Sequence, residues 1–152
     1  MQYIIATHGT LAKGYAETVE LLLHETVHPI CAYADGSEDF PASLTALLDS
    51  FGPDEPVLVF TDLVHGSVCQ NIAGLCAQYP HMQVAAGVSL PLVMECVLAG
   101  APMTRAELAR RMGMSDRTMR KTIQQARMCG YLIPNDQDGR GYYLGSDTRD
   151  RE

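Results

Sequence analysis

The sequence predicts an α/β fold, a small parallel sheet with helices on both faces, and three observations lead there. Short apolar runs of strand length alternate with stretches whose apolar residues recur every three to four positions. One run, Val57-Leu58-Val59-Phe60-Thr61, is nearly continuous in apolar character, as a strand covered on both faces must be. Near residue 100 the alternation gives way to a segment of opposite charge, which marks a second unit.

Each element can be justified in order. Tyr3-Ile4-Ile5-Ala6-Thr7 is the first strand, and Leu11, Tyr15, Thr18, Val19 and Leu22 then fall at helical spacing, giving a helix over about 10–24. Val27 to Tyr33 is the second strand. Ser37 is placed to open a second helix carrying Phe40, Leu44, Leu47, Leu48 and Phe51, and Pro53 and Pro56 bracket its exit. Val57 to Thr61 is the third strand, Ser67 to Tyr79 a helix, Val84 to Val88 the fourth strand and Leu90 to Leu98 a helix. Strands joined through helices of this length form right-handed βαβ units, and ligands of such sheets sit beyond the carboxyl ends of the strands.

At 152 residues, 47% of them hydrophobic, the chain can build one medium domain or two small ones. No basic region precedes the opening apolar run, and no stretch approaches the roughly 18 apolar residues of a membrane span. A soluble, cytoplasmic protein is expected. Cys31, Cys69, Cys76, Cys96 and Cys129 are odd in number and form no Cys-x-x-Cys pair, so reduced, buried thiols are expected rather than a disulfide framework.

Charge divides the chain. Residues 1–100 carry one cation, Lys13, against eleven acids, a balance of −10; residues 101–152 carry ten cations against seven acids, a balance of +3. Ten of eleven cations in the last third point to a segment with its own partner, although unevenly spread solvated charge gives the same count.

The chemistry gathers at the strand ends. His8 follows the first strand and Asp62 the third, which puts both on one edge of the sheet. A histidine that accepts a phosphoryl group presents one neutral ring nitrogen, and a carboxylate on the other fixes the tautomer and stabilises the developing charge. Asp62 suits that role. Phosphoryl oxygens need donors such as backbone N–H groups at a helix N-terminus, which Gly66-Ser67 can supply together with the Ser67 hydroxyl. Gly9 would let the backbone approach closely. On spacing alone, a histidine after a strand is more often a structural or exposed residue.

His24-Glu25-Thr26-Val27-His28 spells His-Glu-x-x-His, but Pro29 disfavours helical geometry at His28, so the two histidines should not share a helix face. A zinc protease is rejected, and neither a metal nor another cofactor is expected. His81, after Pro80, reads as an exposed loop residue.

Ile4-Ile5-Ala6-Thr7-His8-Gly9, Val59-Phe60-Thr61-Asp62-Leu63-Val64-His65-Gly66-Ser67 and Ala86-Gly87-Val88-Ser89-Leu90-Pro91-Leu92, taken together and in that order, resemble the mannose-type enzyme IIA domain of the bacterial sugar phosphotransferase system. The resemblance spans about residues 1–98. It implies a domain that takes a phosphoryl group from the general histidine phosphocarrier protein and passes it to a IIB partner, a phosphotransferase-type carrier. By it His8 would be the phosphorylated residue, Asp62 its carboxylate partner, and Ser67, with Gly9 and Gly66, the phosphate contact. Where family members usually read Gly-Gly-Ser-Pro, this chain reads His65-Gly66-Ser67-Val68. Family members also usually carry a further helix and a final strand, often exchanged within a homodimer, where this chain turns basic.

Within that basic segment Thr104-Arg105-Ala106-Glu107 has capping-box spacing and opens a short helix to about Met112, ended by Gly113. Ser115 caps a second helix in which Met119, Ile123 and Ala126 form the buried stripe, leaving Arg117, Thr118, Arg120, Lys121 and Gln124 outward. Two short helices joined at a glycine, the second cationic and amide-rich, have the form of a helix-turn-helix. Tyr131-Leu132-Ile133 and Gly141-Tyr142-Tyr143-Leu144 flank a hairpin tip carrying Arg140, and the whole resembles a winged helix-turn-helix. The helix at 90–98 sits where that module needs its first. The expected organisation is a IIA-like domain over 1–99, a winged helix-turn-helix over 100–146 and a disordered tail over 147–152. Such a chain would bind double-stranded DNA and let phosphorylation adjust transcription; a plain phosphocarrier, or a degenerate IIA-like module, is the alternative.

Overall fold

The computed structural model describes residues 1–36, 39–64 and 66–101, and among these described residues four strands and four helices alternate. The strands are β1 (Gln2–His8), β2 (His28–Ala32), β3 (Val57–Thr61) and β4 (Met82–Ala86); the helices are α1 (Leu11–Leu23), α2 (Phe40–Asp49), α3 (Ser67–Leu75) and α4 (Leu90–Ala99). All strand pairs are parallel and the order across the sheet is β2-β1-β3-β4. Helices cover both faces, as the sequence predicts.

Period-two alternation divides the core into two layers. Ile4, Ala6, Val57, Val59 and Val84 face Phe40, Leu44 and Leu48 of α2 and Val68, Cys69 and Ile72 of α3. Tyr3, Ile5, Leu58, Phe60 and Ala85 face Ala12 and Val19 of α1 and Leu92, Val93, Cys96 and Val97 of α4. The central strand β3 is buried at all five positions, which accounts for its continuous apolar run. Pro29 lies in β2, an edge strand, where the missing N–H costs the sheet no internal bond.

Several boundaries differ from the expectations for physical reasons. The fourth strand is Met82–Ala86, two residues earlier than expected: Gly87 adopts φ +72°, and the N–H groups of Gly87 and Val88 both turn back to the Thr61 carbonyl at 3.0 and 3.2 Å. α3 stops at Leu75 instead of reaching Tyr79, its exit tightened by i to i+3 bonds from Cys76 to Ala73 and from Gln78 to Leu75. α1 lies rotated so that Ala12 and Val19 meet the sheet, leaving Leu11 and Leu22 about half exposed. α2 begins at Phe40 with Pro41 in its first turn; Ser37, expected to open it, lies outside the described residues.

His24 ends α1 in the left-handed region at φ 55° and His28 begins β2, so the His-Glu-x-x-His spacing is split between a helix end and a strand. His81 is exposed, 3.7 Å from Asp54. Cys69, Cys76 and Cys96 are buried thiols outside any disulfide and Cys31 is half-buried; Cys129 lies outside the described residues. Among the described residues no helix is long and apolar enough to cross a membrane. The segment expected to form the winged helix-turn-helix, with Arg117, Thr118, Arg120, Lys121, Gln124 and Arg140, also lies outside the described residues.

Candidate functional site

Strand order decides what can meet. β1 leads through α1 to β2 on one side, whereas β3 leads through α3 to β4 on the other, so the adjacent carboxyl ends of β1 and β3 form the switch point of the sheet. His8 is the last residue of β1, and Asp62 follows the last residue of β3.

The two meet through three N–H donors on one carboxylate. Asp62 Oδ2 accepts from the His8 backbone N–H and lies against His8 Nδ1, both at 2.9 Å, while Oδ1 accepts from the Leu63 N–H at 2.9 Å. Burial alone would push the Asp62 carboxyl up. The hydrogen bonds from the His8 backbone and ring, the His8 charge and the Leu63 N–H outweigh it and hold the carboxyl below its ordinary value. An ionised carboxylate only accepts, so in the neutral ring Nδ1 carries the proton and Nε2 is left with its lone pair. The side chain of Asp62 is 13% exposed and that of His8 36%, so the anchor is covered while the ring remains reachable.

Ser67 faces the free nitrogen. Its Oγ lies 3.3 Å from His8 Nε2 and accepts from the Tyr33 hydroxyl at 2.9 Å. Ser67 is also the first residue of α3, and that helix has no side-chain cap at Gly66. Its first-turn N–H groups therefore have no partner inside the helix and favour negative charge.

The glycines have separable roles. At Gly66 a Cβ would lie 2.9 Å from His8 Cε1 and 3.0 Å from Leu63 Cβ, so only hydrogen fits between the start of α3 and the ring. At Gly9 a Cβ would meet nothing; the residue adopts φ +61° and donates its N–H to the Ala32 carbonyl at 2.8 Å, so it serves the turn out of β1. Thr7, fully buried, supports the same turn by accepting the Ala12 N–H at 2.7 Å. His65 lies outside the described residues.

The structure thus brings together His8, Asp62, Ser67 and Gly66. It adds Tyr33, which sequence reasoning did not single out. Tyr33 ends the second apolar run on the same edge of the sheet, a weak signal, since nothing in the sequence aims its hydroxyl at Ser67.

An imidazole with one nitrogen anchored to a carboxylate, the other open beside a hydroxyl and a helix N-terminus, on the carboxyl edge of an open parallel sheet, defines the class: a histidine site arranged for an anionic group. The chain belongs to the EIIA-man family, described as "PTS system fructose IIA component", whose profile matches residues 2–112. It is 31% identical over 96 residues to the "PTS system sorbose-specific EIIA component" of Klebsiella pneumoniae, covering 62% of this chain and 70% of that relative. Among solved structures, one from Klebsiella pneumoniae subsp. pneumoniae MGH 78578, provisionally described as a phosphoenolpyruvate-dependent sugar phosphotransferase system permease, is 29% identical. It superposes with a TM-score of 0.59 over 84% of this chain and 83% of its own. The mannose/sorbose specific IIA subunit from Enterococcus faecalis, 21% identical, shares the fold with a TM-score of 0.57 over 90% of this chain and 96% of its own. The chain is therefore an EIIA-type component of the sugar phosphotransferase system.

Proposed function

We propose that His8 accepts a phosphoryl group on Nε2 from the general histidine phosphocarrier protein and passes it to a IIB partner. The observation that carries this reading is the 2.9 Å contact between Nδ1 and Asp62, which leaves Nε2 as the nucleophile. The P–N bond of the donor breaks and its electron pair returns to the donor's ring, while the Nε2 lone pair forms the new N–P bond. The His8 ring gains positive charge, which Asp62 neutralises through the Nδ1–H it already holds. Ser67 and the first turn of α3 then offer donors to the phosphoryl oxygens. Onward transfer runs the same changes in reverse.

The test is incubation with phosphoenolpyruvate and the two general phosphotransferase proteins. Acid-labile, base-stable label is expected on the wild type and lost in His8→Ala; an unlabelled wild type rules the assignment out.

A second reading is favoured by one observation, the ten of eleven cations placed after residue 100. On it the segment 100–146 binds double-stranded DNA through Arg117, Thr118, Arg120, Lys121, Gln124 and Arg140, making the protein a phosphorylation-responsive regulator. The family match runs to Met112, past the boundary expected at residue 99, and so favours the plain carrier. DNA titrations at two salt concentrations decide: binding that weakens with salt and with Arg120→Ala and Lys121→Ala supports the regulator. Absence of binding leaves the carrier.

A further inference from the structure

We infer that Tyr33 is a positioning residue for phosphoryl transfer, acting through Ser67, and the inference rests on His8 being the acceptor.

Three features of Tyr33 point the same way. Its backbone adopts φ +62°, a conformation that side chains other than those of glycine and asparagine rarely take. The residue stands at a turn whose Gly36 N–H returns to the Tyr33 carbonyl at 3.3 Å, a place where glycine would meet no strain. Its ring is held on two sides, 5.9 Å from the His8 ring and edge-on to Phe40 at 5.6 Å. Its hydroxyl ends 2.9 Å from Ser67 Oγ. A strained backbone, a clamped ring and a directed hydroxyl converge on one oxygen beside the acceptor nitrogen.

The direction of the hydrogen bonds gives the chemistry. The Tyr33 O–H donates to Ser67 Oγ, which fills one of its acceptor positions and leaves the Ser67 proton for another acceptor. In the resting protein that acceptor is the Nε2 lone pair at 3.3 Å. Once Nε2 is bonded to phosphorus the lone pair is gone, and the same proton turns to a phosphoryl oxygen. Tyr33 thus keeps Ser67 a donor toward the transferring group in both states, and its hydroxyl transfers no proton of its own. Without it the serine hydroxyl is free to rotate away and donate to water.

The experiment follows the rate of His8 labelling by the phosphocarrier in the full chain for wild type, Tyr33→Phe, Ser67→Ala and the double variant. Losing one oriented hydrogen bond should slow the maximal rate of Tyr33→Phe about 3- to 10-fold, leaving KM for the phosphocarrier unchanged. Phenylalanine retains the ring between His8 and Phe40, so a fold effect should be absent. In the Ser67→Ala background Tyr33→Phe should add no further slowing, because the group it acts through has been removed. The 15N shift of His8 Nε2 in the unphosphorylated protein should move in Tyr33→Phe. Wild-type rates in Tyr33→Phe, an additive double variant or an unmoved Nε2 shift would each overturn the role of Tyr33 while leaving His8 as acceptor. An unlabelled wild type overturns both.

Discussion

Asp62→Asn tests the anchor of the site. The carboxylate receives three N–H groups, two on Oδ2 and one on Oδ1. An amide of the same shape has one acceptor oxygen. If that oxygen takes the Oδ2 position, the amide N–H groups confront the Leu63 N–H; in the reverse orientation they confront both His8 donors. Hydrogen bonds to a charged group contribute roughly 1.5–3 kcal/mol and neutral ones about 1, and a part-buried donor left unpaired costs a further 1–3. A loss of about 2 kcal/mol in stability is expected, a fall in Tm of roughly 4–8 °C for a chain of this length. The charge on the His8 ring as N–P bond formation proceeds also loses its counter-ion. The ring is partly exposed, so the attraction is worth on the order of 2–3 kcal/mol rather than its value in a dry interior, which corresponds to about a hundredfold in transfer rate. Stability should change with pH as well. Because the folded carboxyl is held below its ordinary value of 3.8, its contribution is present above that value and disappears as pH falls through the lower, folded one. The asparagine variant should lack this acid limb. Calorimetry between pH 2 and 7, with labelling rates at pH 7, gives all three readouts. Labelling within threefold of wild type together with an unchanged Tm would refute the reasoning.

Gly66→Ala should slow labelling at least tenfold and lower stability by about 1–3 kcal/mol, since the new methyl meets the His8 ring at 2.9 Å; labelling rate and Tm check it together. Gly74→Ala, inside α3 with open space at its Cβ, should instead raise stability by about 0.5–1 kcal/mol in a denaturant titration, with labelling unchanged. Burial pushes the Cys76 thiol up to about 12, so alkylation at pH 8 should modify half-buried Cys31 before Cys76 and reach Cys76 only when the fold opens, as peptide mapping over time would show.

The parts of this molecule that were legible in the sequence are those governed by local periodicity. Val57 to Thr61 was readable because both faces are covered, and α4 was placed to within a residue, the structure adding its limits: Ser89 accepts the Leu92 N–H at 3.4 Å and Gly100 closes it in the left-handed region. His8, Asp62 and Ser67 could be placed on one edge because each follows directly from an element boundary. The end of β4 was not legible, since it depends on two N–H groups returning to a carbonyl of another strand, at Thr61. Nor was the reason for a glycine at 66, which is the His8 ring, 58 residues away in sequence. Tyr33 stayed hidden for the same cause: its hydroxyl finds Ser67 only once β1 has come between β2 and β3. Alternating apolar residues announce strands, but their lateral order is set by which crossovers pack, and that order creates the site.

The order β2-β1-β3-β4 also bears on how such a site endures. Its reactive groups come from four separate junctions of strand, turn and helix, at Thr7 to Gly9, Tyr33, Asp62 to Leu63 and Gly66 to Ser67, and the crossovers leave the cleft between them on opposite sides. The chain's routing, rather than any single surface, keeps that cleft open. The outward faces of α1, α2 and α4 can therefore drift freely, and with them whatever docks there, without disturbing the seat of the histidine. Two relatives could share this chemistry and have hardly one exposed residue in common.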